Sequence, residues 1–217
     1  GAGKSTIARL LFRFYDPQGG RILIDGQDIA QVSIASLRRT IGGVQQDSFL
    51  FTASVDHNVA YGDPSTDMDQ IVQASTDAQI HSFIEELPRN YQTLVGEDGV
   101  SLSGGQRQRV SIARGTLTDA PIFIFDDATA AIDAGTEQRI RRALKARAGT
   151  HTTIIISHRL VSIMHADEIL FLDEGCIVER GTHEQLLALK GRYFELHSLQ
   201  LRDEHRSTHL TERVKPA

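Results

Sequence analysis

The sequence predicts an α/β fold: a mostly parallel sheet, a helical subdomain inserted into it and a small antiparallel β element. Residues 122–125, 153–156 and 169–172 are continuous apolar runs, which are typical of strands buried on both faces of a parallel sheet. Apolar residues at helical spacing between the first two runs favour a strand–helix–strand order. Strand patterns are missing between Gln46 and Leu102, which favours a helical insertion.

The composition bounds what the chain can do. With 217 residues, of which 40% are hydrophobic, it can bury a sizeable core. A net charge of −5 argues against a broad nucleic-acid surface, so any phosphate binding has to be local. The single cysteine, Cys176, excludes an internal disulfide framework and suits a reducing compartment. No apolar run is long enough to span a bilayer, and no signal peptide is visible.

The first six residues, Gly-Ala-Gly-Lys-Ser-Thr, match the second half of the phosphate-binding pattern G-x-x-x-x-G-K-[ST]. We therefore expect the chain to be a fragment that begins inside this loop. Lys4 can reach the β- and γ-phosphates of a nucleotide, and the Ser5 hydroxyl is placed to ligate Mg²⁺. The alternative is an ordinary glycine-rich turn with an exposed lysine.

The elements before the insertion are short. Residues 7–14 have the apolar spacing of an amphipathic helix, and residues 16–20 end it with turn chemistry. Residues 21–26 then predict a short strand and a turn. Residues 41–44 predict a second, buried strand.

Several side chains are expected to cap helices, because their oxygens can accept hydrogen bonds from backbone N–H groups of the first turn. They are Ser33, Thr66, Ser82, Ser103 and Thr182. Beyond the last apolar run, residues 173–175 predict a turn into a hairpin with residues 176–179. From Arg202 onward the sequence is polar and aperiodic, which predicts a loose tail.

Two acidic residues, Asp126 and Asp127, end an otherwise apolar strand. Such a strand delivers carboxylates to the carboxyl edge of the sheet, where open α/β folds bind ligands. Asp126 can hold Mg²⁺ there, and Asp127 can orient or deprotonate a water. The alternative is a pair of solvated acids in a loop, which is disfavoured because burying charge without a metal or partner is costly.

The string Leu-Ser-Gly-Gly-Gln at residues 102–106 is the most specific in the chain. Ser103 is a good N-cap, and Gly104 and Gly105 follow it where a helix begins, so backbone amides face outward. This predicts a second anion site at a helix N-terminus. The alternative is an ordinary capped helix.

With these motifs in this order, the chain resembles the nucleotide-binding (ATPase) domain of an ATP-binding cassette (ABC) transporter of the exporter type, from its start to about Leu201. Residues 102–106 match the family signature without change. The resemblance implies a P-loop NTPase (RecA-like) fold. Its core would comprise residues 1–45 and 110–201, its helical subdomain residues 46–109, and a disordered tail residues 202–217.

The resemblance also implies roles for individual residues. The Walker A residues that bind nucleotide would be Gly1, Ala2, Gly3, Lys4, Ser5 and Thr6, with Ser5 on Mg²⁺. Gln46 would be the Q-loop glutamine that reaches Mg²⁺ and the attacking water, and Asp126 the Walker B aspartate. Asp133 would lie in the D-loop, and His158 would be the switch histidine that contacts the γ-phosphate.

In this family two such domains dimerise head to tail around two ATP molecules. The residues expected to bind the partner's ATP in trans are Ser103, Gly104, Gly105 and Gln106. Residues 93–99 resemble the X-loop of exporters, except that Asp98 stands where arginine is frequent. The resemblance implies a transmembrane domain fused N-terminally and a place on the cytoplasmic face of the inner or plasma membrane. Phe49 and Phe51 either face that membrane domain or belong to the subdomain core.

Asp127 departs from the family, whose usual residue at this position is glutamate. A carboxylate withdrawn by about 1 Å can cost ~10²-fold in rate. The departure favours a heterodimer in which this chain's own site is slow. It also leaves one alternative to an exporter ATPase open, a slow, regulatory ATP-binding half of a heterodimeric exporter. A second alternative is a soluble ABC ATPase with no membrane partner.

Overall fold

The computed structural model describes residues 2–45, 48–96, 99–118, 120–147 and 151–212. The helices are α1 (Lys4–Leu11), α2 (Ile34–Arg39), α3 (Val55–Val59), α4 (Met68–Asp77), α5 (His81–Glu85), α6 (Gly104–Leu117), α7 (Ala134–Arg147), α8 (Leu160–Ile163), α9 (His183–Leu189) and α10 (Arg192–Glu212). The strands are β1 (Leu23–Ile24), β2 (Gln27–Asp28), β3 (Ile41–Val44), β4 (Ala53–Ser54), β5 (Leu94–Val95), β6 (Ile122–Asp126), β7 (Thr152–Ile156), β8 (Ile169–Asp173) and β9 (Cys176–Gly181).

The described chain forms two compact units. One comprises residues 8–156, and the other comprises residues 2–7 together with residues 157–212. The division into an ATPase core and a helical subdomain along the boundaries given above stays a prediction.

A three-stranded parallel sheet of order β3–β6–β7 forms the centre of the first unit. Side chains of β6 alternate between two cores, as the period of a strand requires. Ile124 packs with Ala8, Ile41 and Ile156 in one core, whereas Phe125 belongs to a larger core on the opposite side. The predicted strands at residues 41–44, 122–125 and 153–156 are therefore confirmed. They pair parallel, and both faces of the sheet are covered.

Helices α3 to α6 pack around the larger of the two cores, which includes Val55, Ile71, Ile84 and Ile112. The structure places two short strands in this segment, β4 and β5, which pair antiparallel. The expectation that this segment has no strands was wrong at these positions, because two-residue strands leave no alternation to detect.

The expected caps hold at three positions and fail at two. Ser33, Ser103 and Thr182 cap α2, α6 and α9 through side-chain hydrogen bonds, and the last two are capping boxes. Thr66 is not a cap: Asp67 caps α4, and the Thr66 hydroxyl donates to Asp63 O. Ser82 lies inside α5 rather than before it. In both cases a neighbouring residue starts the helix within the usual uncertainty of helix ends.

The second unit contains the β8–β9 hairpin and helices α8 to α10. Leu160, Ile169, Leu186 and Tyr193 form its core. The carboxylate of Glu179 on β9 accepts hydrogen bonds from the backbone N–H groups at the start of α10, including that of Tyr193 at 3.0 Å. The start of α10 is thereby attached to the hairpin.

The second unit departs from the sequence-based expectations in two places. Residues 169–172 were expected to lie buried in the parallel sheet and to begin a hairpin. The hairpin with residues 176–179 is confirmed, but β8 and β9 form a sheet of their own and Leu170 is exposed. The intervening turn has two left-handed residues, Glu174 and Gly175 (φ 45° and 78°), as a two-residue hairpin turn requires. This turn brings β9 back alongside β8, so the two strands pair with each other.

The expected loose tail also differs. Residues 202–212 continue α10 as helix, because a helix that has already been nucleated extends with little cost through residues such as Arg, Glu and Leu. None of the helices in the described ranges is long and apolar enough to cross a membrane.

We predict that Gly42→Ala destabilises the first unit. A Cβ at Gly42 would lie 2.8 Å from the Phe123 ring and 3.1 Å from Gly115 O, so α6 could no longer pack as closely on β3. We expect the free energy of unfolding, measured by urea denaturation, to fall by about 1–3 kcal/mol. Gly19→Ala is the control, since a Cβ there meets nothing within 4 Å. Equal stability of the two variants would contradict the prediction.

Candidate functional site

The phosphate-binding loop leads directly into α1. Gly3 has a φ of 90°, which favours glycine, and Gly3 O accepts from Ile7 N at 3.2 Å in the first turn. Lys4 and Ser5 are half-buried and Thr6 is exposed, so the first turn of α1 presents its N–H groups together with these side chains. Ala2 is half-buried, and Gly1 lies outside the described residues.

Strand β6 ends at Asp126, and Asp127 follows it. Asp127 is 8% exposed and its backbone N–H donates to Ile156 O at 2.8 Å, so the ends of β6 and β7 are held together. Its φ is 45°, in the left-handed region that aspartate tolerates better than most residues. The backbone therefore accommodates aspartate at this position.

The signature residues begin α6 with a complete capping box. Ser103 Oγ accepts from Gln106 N at 3.2 Å, and Gln106 Oε1 accepts from Ser103 N at 2.7 Å. The remaining N–H groups of the first turn, at Gly104 and Gly105, have no intrahelical acceptor by the geometry of a helix start. With the helix dipole, they make this end suited to an anion.

The structure brings the start of α6 against the loop that follows Asp127. Gln108 is 6% exposed, and its Oε1 accepts from Ala131 N at 2.9 Å. A Cβ at Gly105 would lie 2.8 Å from Ala131 O. The glycine at 105 is therefore needed for packing against this loop as well as for exposing an amide. Sequence reasoning missed Gln108, since no local pattern marks a contact 23 residues away.

Asp133 caps α7 from the far end of the same loop. Its Oδ1 accepts from Thr136 N at 2.9 Å, and hydrogen bonds from the Thr136 backbone and hydroxyl lower the pKa of Asp133. Arg139 donates to Thr136 Oγ1 at 2.7 Å and to Gln79 Oε1 at 3.1 Å, and Arg109 donates to Gln79 O. These bonds join α6, α7 and the turn after α4.

His158 lies two residues beyond the end of β7 and is exposed. Its backbone carbonyl accepts from Gln200 Nε2 at 2.7 Å, and Ser157 Oγ accepts from Arg159 N at 3.0 Å. Sequence reasoning missed Gln200 because it is 42 residues away, in a helix whose polar end gave no sign of a contact.

Gln46 and Asp47 lie outside the described residues, as do Glu97 and Asp98 of the predicted X-loop. The aromatic residues after Gln46 are described. Phe49 is 64% exposed, so it is not a core residue. It meets Phe51 edge to face, and Phe51 stacks on Tyr61 with ring centroids 4.0 Å apart. We refer to Phe49, Phe51 and Tyr61 as the aromatic patch.

Arg114 of α6 lies beneath the aromatic patch. Its guanidinium is 5.5 Å from the Phe51 ring centroid and 5.8 Å from that of Tyr61, and it donates to Asn58 O at 2.7 Å. It also donates to Phe49 O at 3.1 Å. Burial lowers the pKa of Arg114, although a guanidinium stays charged throughout the neutral range.

The family described as ABC transporter matches residues 1–130. The chain belongs to this family. It is the ATPase domain of an ABC protein with the P-loop NTPase fold, a domain type that binds ATP. In a solved structure of a bacterial Atm1-family ABC exporter with ATP bound, 35% of the exporter chain aligns with 92% of this ABC domain, at 51% identity and a TM-score of 0.89.

Curated relatives are similar to this domain over most of its length. An ATM1-type heavy metal exporter of Novosphingobium aromaticivorans is 52% identical over 92% of this domain and 33% of the relative. An ATP-dependent lipid A-core flippase of Syntrophus aciditrophicus is 48% identical over 94% and 34%. An uncharacterized ABC transporter ATP-binding protein of Bacillus subtilis is 48% identical over 94% and 35%. The ABC domain thus spans about a third of the length of these relatives.

We predict opposite effects for two neighbouring substitutions in the signature. Gly105→Ala places a Cβ 2.8 Å from Ala131 O, and we expect it to lower the free energy of unfolding by about 1–3 kcal/mol. Gly104→Ala meets Ala131 Cβ at an ordinary 3.6 Å, and we expect no loss or a gain of up to about 1 kcal/mol from helix propensity. Urea denaturation of both variants tests this. The same sign for both would contradict it.

Proposed function

We propose that this ABC domain binds and hydrolyses ATP to drive export by a transporter of which it is one part. The observation that carries the proposal is the capped, glycine-bearing start of α6, because one nucleotide does not need a second anion-binding helix end on the same chain. The names of the relatives, a heavy metal exporter and a lipid A-core flippase, support export as the work that hydrolysis drives. These names do not favour the two alternatives, a soluble ATPase and an ATP-binding half of an exporter that only regulates.

The family implies that two such domains pair and that a transmembrane domain accompanies them. In the proposed pair, Gly3, Lys4, Ser5 and Thr6 bind one nucleotide in cis, together with Gly1 and Ala2. The N–H groups at the start of α6, with Ser103 and Gln106, bind the γ-phosphate of the partner's nucleotide. Hydrolysis then separates the pair, because it removes the charge shared by two helix ends.

Mg²⁺ fits the residues present. The Ser5 hydroxyl and the Asp126 carboxylate are hard oxygen donors of the kind that Mg²⁺ prefers, and the Gln46 amide oxygen would complete the set. When bound, the ion neutralises charge that develops on the phosphate oxygens. Asp127 orients the attacking water and accepts its proton, and its burial keeps this carboxylate in one position. His158 contacts the γ-phosphate from the loop after β7, and Asp133 belongs to the loop that faces the partner domain.

The aromatic patch favours a membrane domain as a further partner. Phe49 and Tyr61 are 64% and 51% exposed, and large exposed aromatics beside a half-buried arginine suit an interface. One relative is named a heavy metal exporter and another a lipid A-core flippase, so association of the whole protein with a membrane is consistent. We propose that the membrane domain is fused N-terminally and that this domain lies on the cytoplasmic face.

The proposal of ATP hydrolysis is tested by Lys4→Ala in the intact protein reconstituted in lipid vesicles without a partner chain, so that only nucleotide bound by Lys4 is hydrolysed. Loss of the cation at the β- and γ-phosphates should lower Mg-ATP hydrolysis about 10²-fold or more. Lys145→Ala is the matched control, since Lys145 is an exposed lysine on α7. Hydrolysis that survives Lys4→Ala, or that the unaltered protein lacks, would contradict the proposed function.

For the second domain of the pair, we propose a different ABC chain rather than a copy. The proposal rests on Asp127 alone. Its carboxylate ends one methylene short of the glutamate usual in the family, and a shift of about 1 Å in a catalytic group can cost ~10²-fold. The signature of this chain would then complete the faster site, on the partner.

The proposed heterodimer predicts the effect of Asp127→Glu on the intact protein in lipid without a partner chain. We expect hydrolysis to rise about tenfold or more, because the longer side chain returns the carboxylate to the usual position. The left-handed backbone accommodates glutamate less well, so the melting temperature should fall slightly. Asp126→Glu is the control and should lower the rate. Brisk hydrolysis by the unaltered chain alone, little changed by Asp127→Glu, would instead indicate a homodimer.

A further inference from the structure

The side-chain amide of Gln200, on α10, contacts the loop after β7 at two backbone atoms. Gln200 Nε2 donates to His158 O at 2.7 Å, and Gln200 Oε1 accepts from Leu160 N at 3.0 Å. Both partners belong to the same unit of the structure as α10. One side-chain amide is thus hydrogen-bonded to the backbone of the residue before Arg159 and to that of the residue after it.

The pattern of these two bonds is specific for an amide. One backbone atom needs a donor and the other an acceptor, and a single orientation of the Gln200 amide satisfies both. Glutamate has no donor, methionine has neither group, and asparagine is one methylene shorter. Of the side chains of this length, only glutamine can make both bonds.

The contact matters because of where His158 is. Its side chain is exposed, on the loop that follows β7. The position from which the imidazole projects is set by the backbone, which Gln200 holds at His158 O. On the C-terminal side, Leu160 is 5% exposed and begins α8, so the loop has a buried anchor there as well.

Helix α10 is itself firmly attached. Tyr193 is fully buried, and His183 Nδ1 and Tyr193 Oη share a hydrogen bond of 2.7 Å. Glu179 accepts from the backbone N–H of Tyr193, and Arg192 forms an ion pair with Asp173. Gln200 lies seven residues beyond Tyr193, about two helical turns or ~10 Å along the axis. Because α10 is anchored at its start, the amide of Gln200 is held in a fixed place against the loop.

We propose that Gln200 is a positioning residue for His158, through which α10 holds the loop that carries this histidine. The inference rests on the proposed function, in which His158 contacts the γ-phosphate of ATP. Gln200 does not touch the nucleotide in this scheme. It acts through the backbone on either side of Arg159.

The test is a double-mutant cycle on the intact protein in lipid vesicles, with release of radiolabelled γ-phosphate as the readout so that slow turnover is measurable. Gln200→Met is expected to lower kcat about tenfold in the unaltered background and by less than about twofold in the His158→Ala background. The dissociation constant for Mg-ADP, which the phosphate-binding loop governs, should change by less than about twofold. Ser198→Ala is the matched control, since its hydroxyl donates to Phe194 O within α10.

A second readout does not depend on catalysis. Amide hydrogen exchange at Leu160 should accelerate about tenfold or more in Gln200→Met, because its N–H loses its acceptor, and should be unchanged in Ser198→Ala. Acceleration without any hydrolysis by the unaltered protein would overturn the proposed function and with it the role of Gln200, while leaving the contact itself demonstrated.

Other outcomes overturn the inference alone. Equal losses of kcat in both backgrounds would show that Gln200 only stabilises the fold, and an unchanged kcat would show that the loop does not need it. Should Gln200→Met fail to fold, Gln200→Glu takes its place in the cycle. It keeps an acceptor for Leu160 N but loses the donor to His158 O, so the same comparison applies.

Discussion

The pairing of β6 with β7 is the constraint on which the candidate site depends. Asp126 is opposite Ile156 in the parallel register, and the next N–H, that of Asp127, donates to Ile156 O. This bond holds the aspartate in its left-handed conformation just beyond the sheet. Because the sheet is covered by apolar cores on both faces, the strand ends cannot shift without disturbing the packing of Ile124 and Phe125. The position of the acidic pair is therefore set by the core.

A second consequence concerns the loop after Asp127. Its backbone is held on the α6 side by Gln108, which accepts from Ala131 N, and by the close approach of Gly105 to Ala131 O. At its far end Asp133 caps α7. The start of α6 and this loop therefore form one packed assembly, although the first would serve the partner's nucleotide and Asp127 this chain's own.

Local chemistry made much of this predictable. The parallel strands at residues 122–125 and 153–156 have the apolar runs that burial requires, and the caps at Ser103 and Thr182 follow from their side chains. The hairpin of residues 169–172 with residues 176–179 was predicted from its turn residues, but its separation from the parallel sheet was not, because an apolar run does not reveal which sheet it joins. Gln108 and Gln200 were missed for a related reason: each contacts backbone far away in sequence, and such contacts exist only once the elements have packed.

Arg114 gives α6 a further property. Through Asn58 O and Phe49 O its guanidinium is joined to the backbone beneath the aromatic patch, and α6 runs without interruption from Gly104 to Leu117. Arg114 lies eleven residues beyond Ser103, which corresponds to about 16 Å along the helix axis. Because the intrahelical hydrogen bonds run without a break between them, a displacement of Arg114 along the axis also moves the Ser103 end. The helix itself can thus couple the aromatic patch to the signature residues, with no relay of side chains between its two ends.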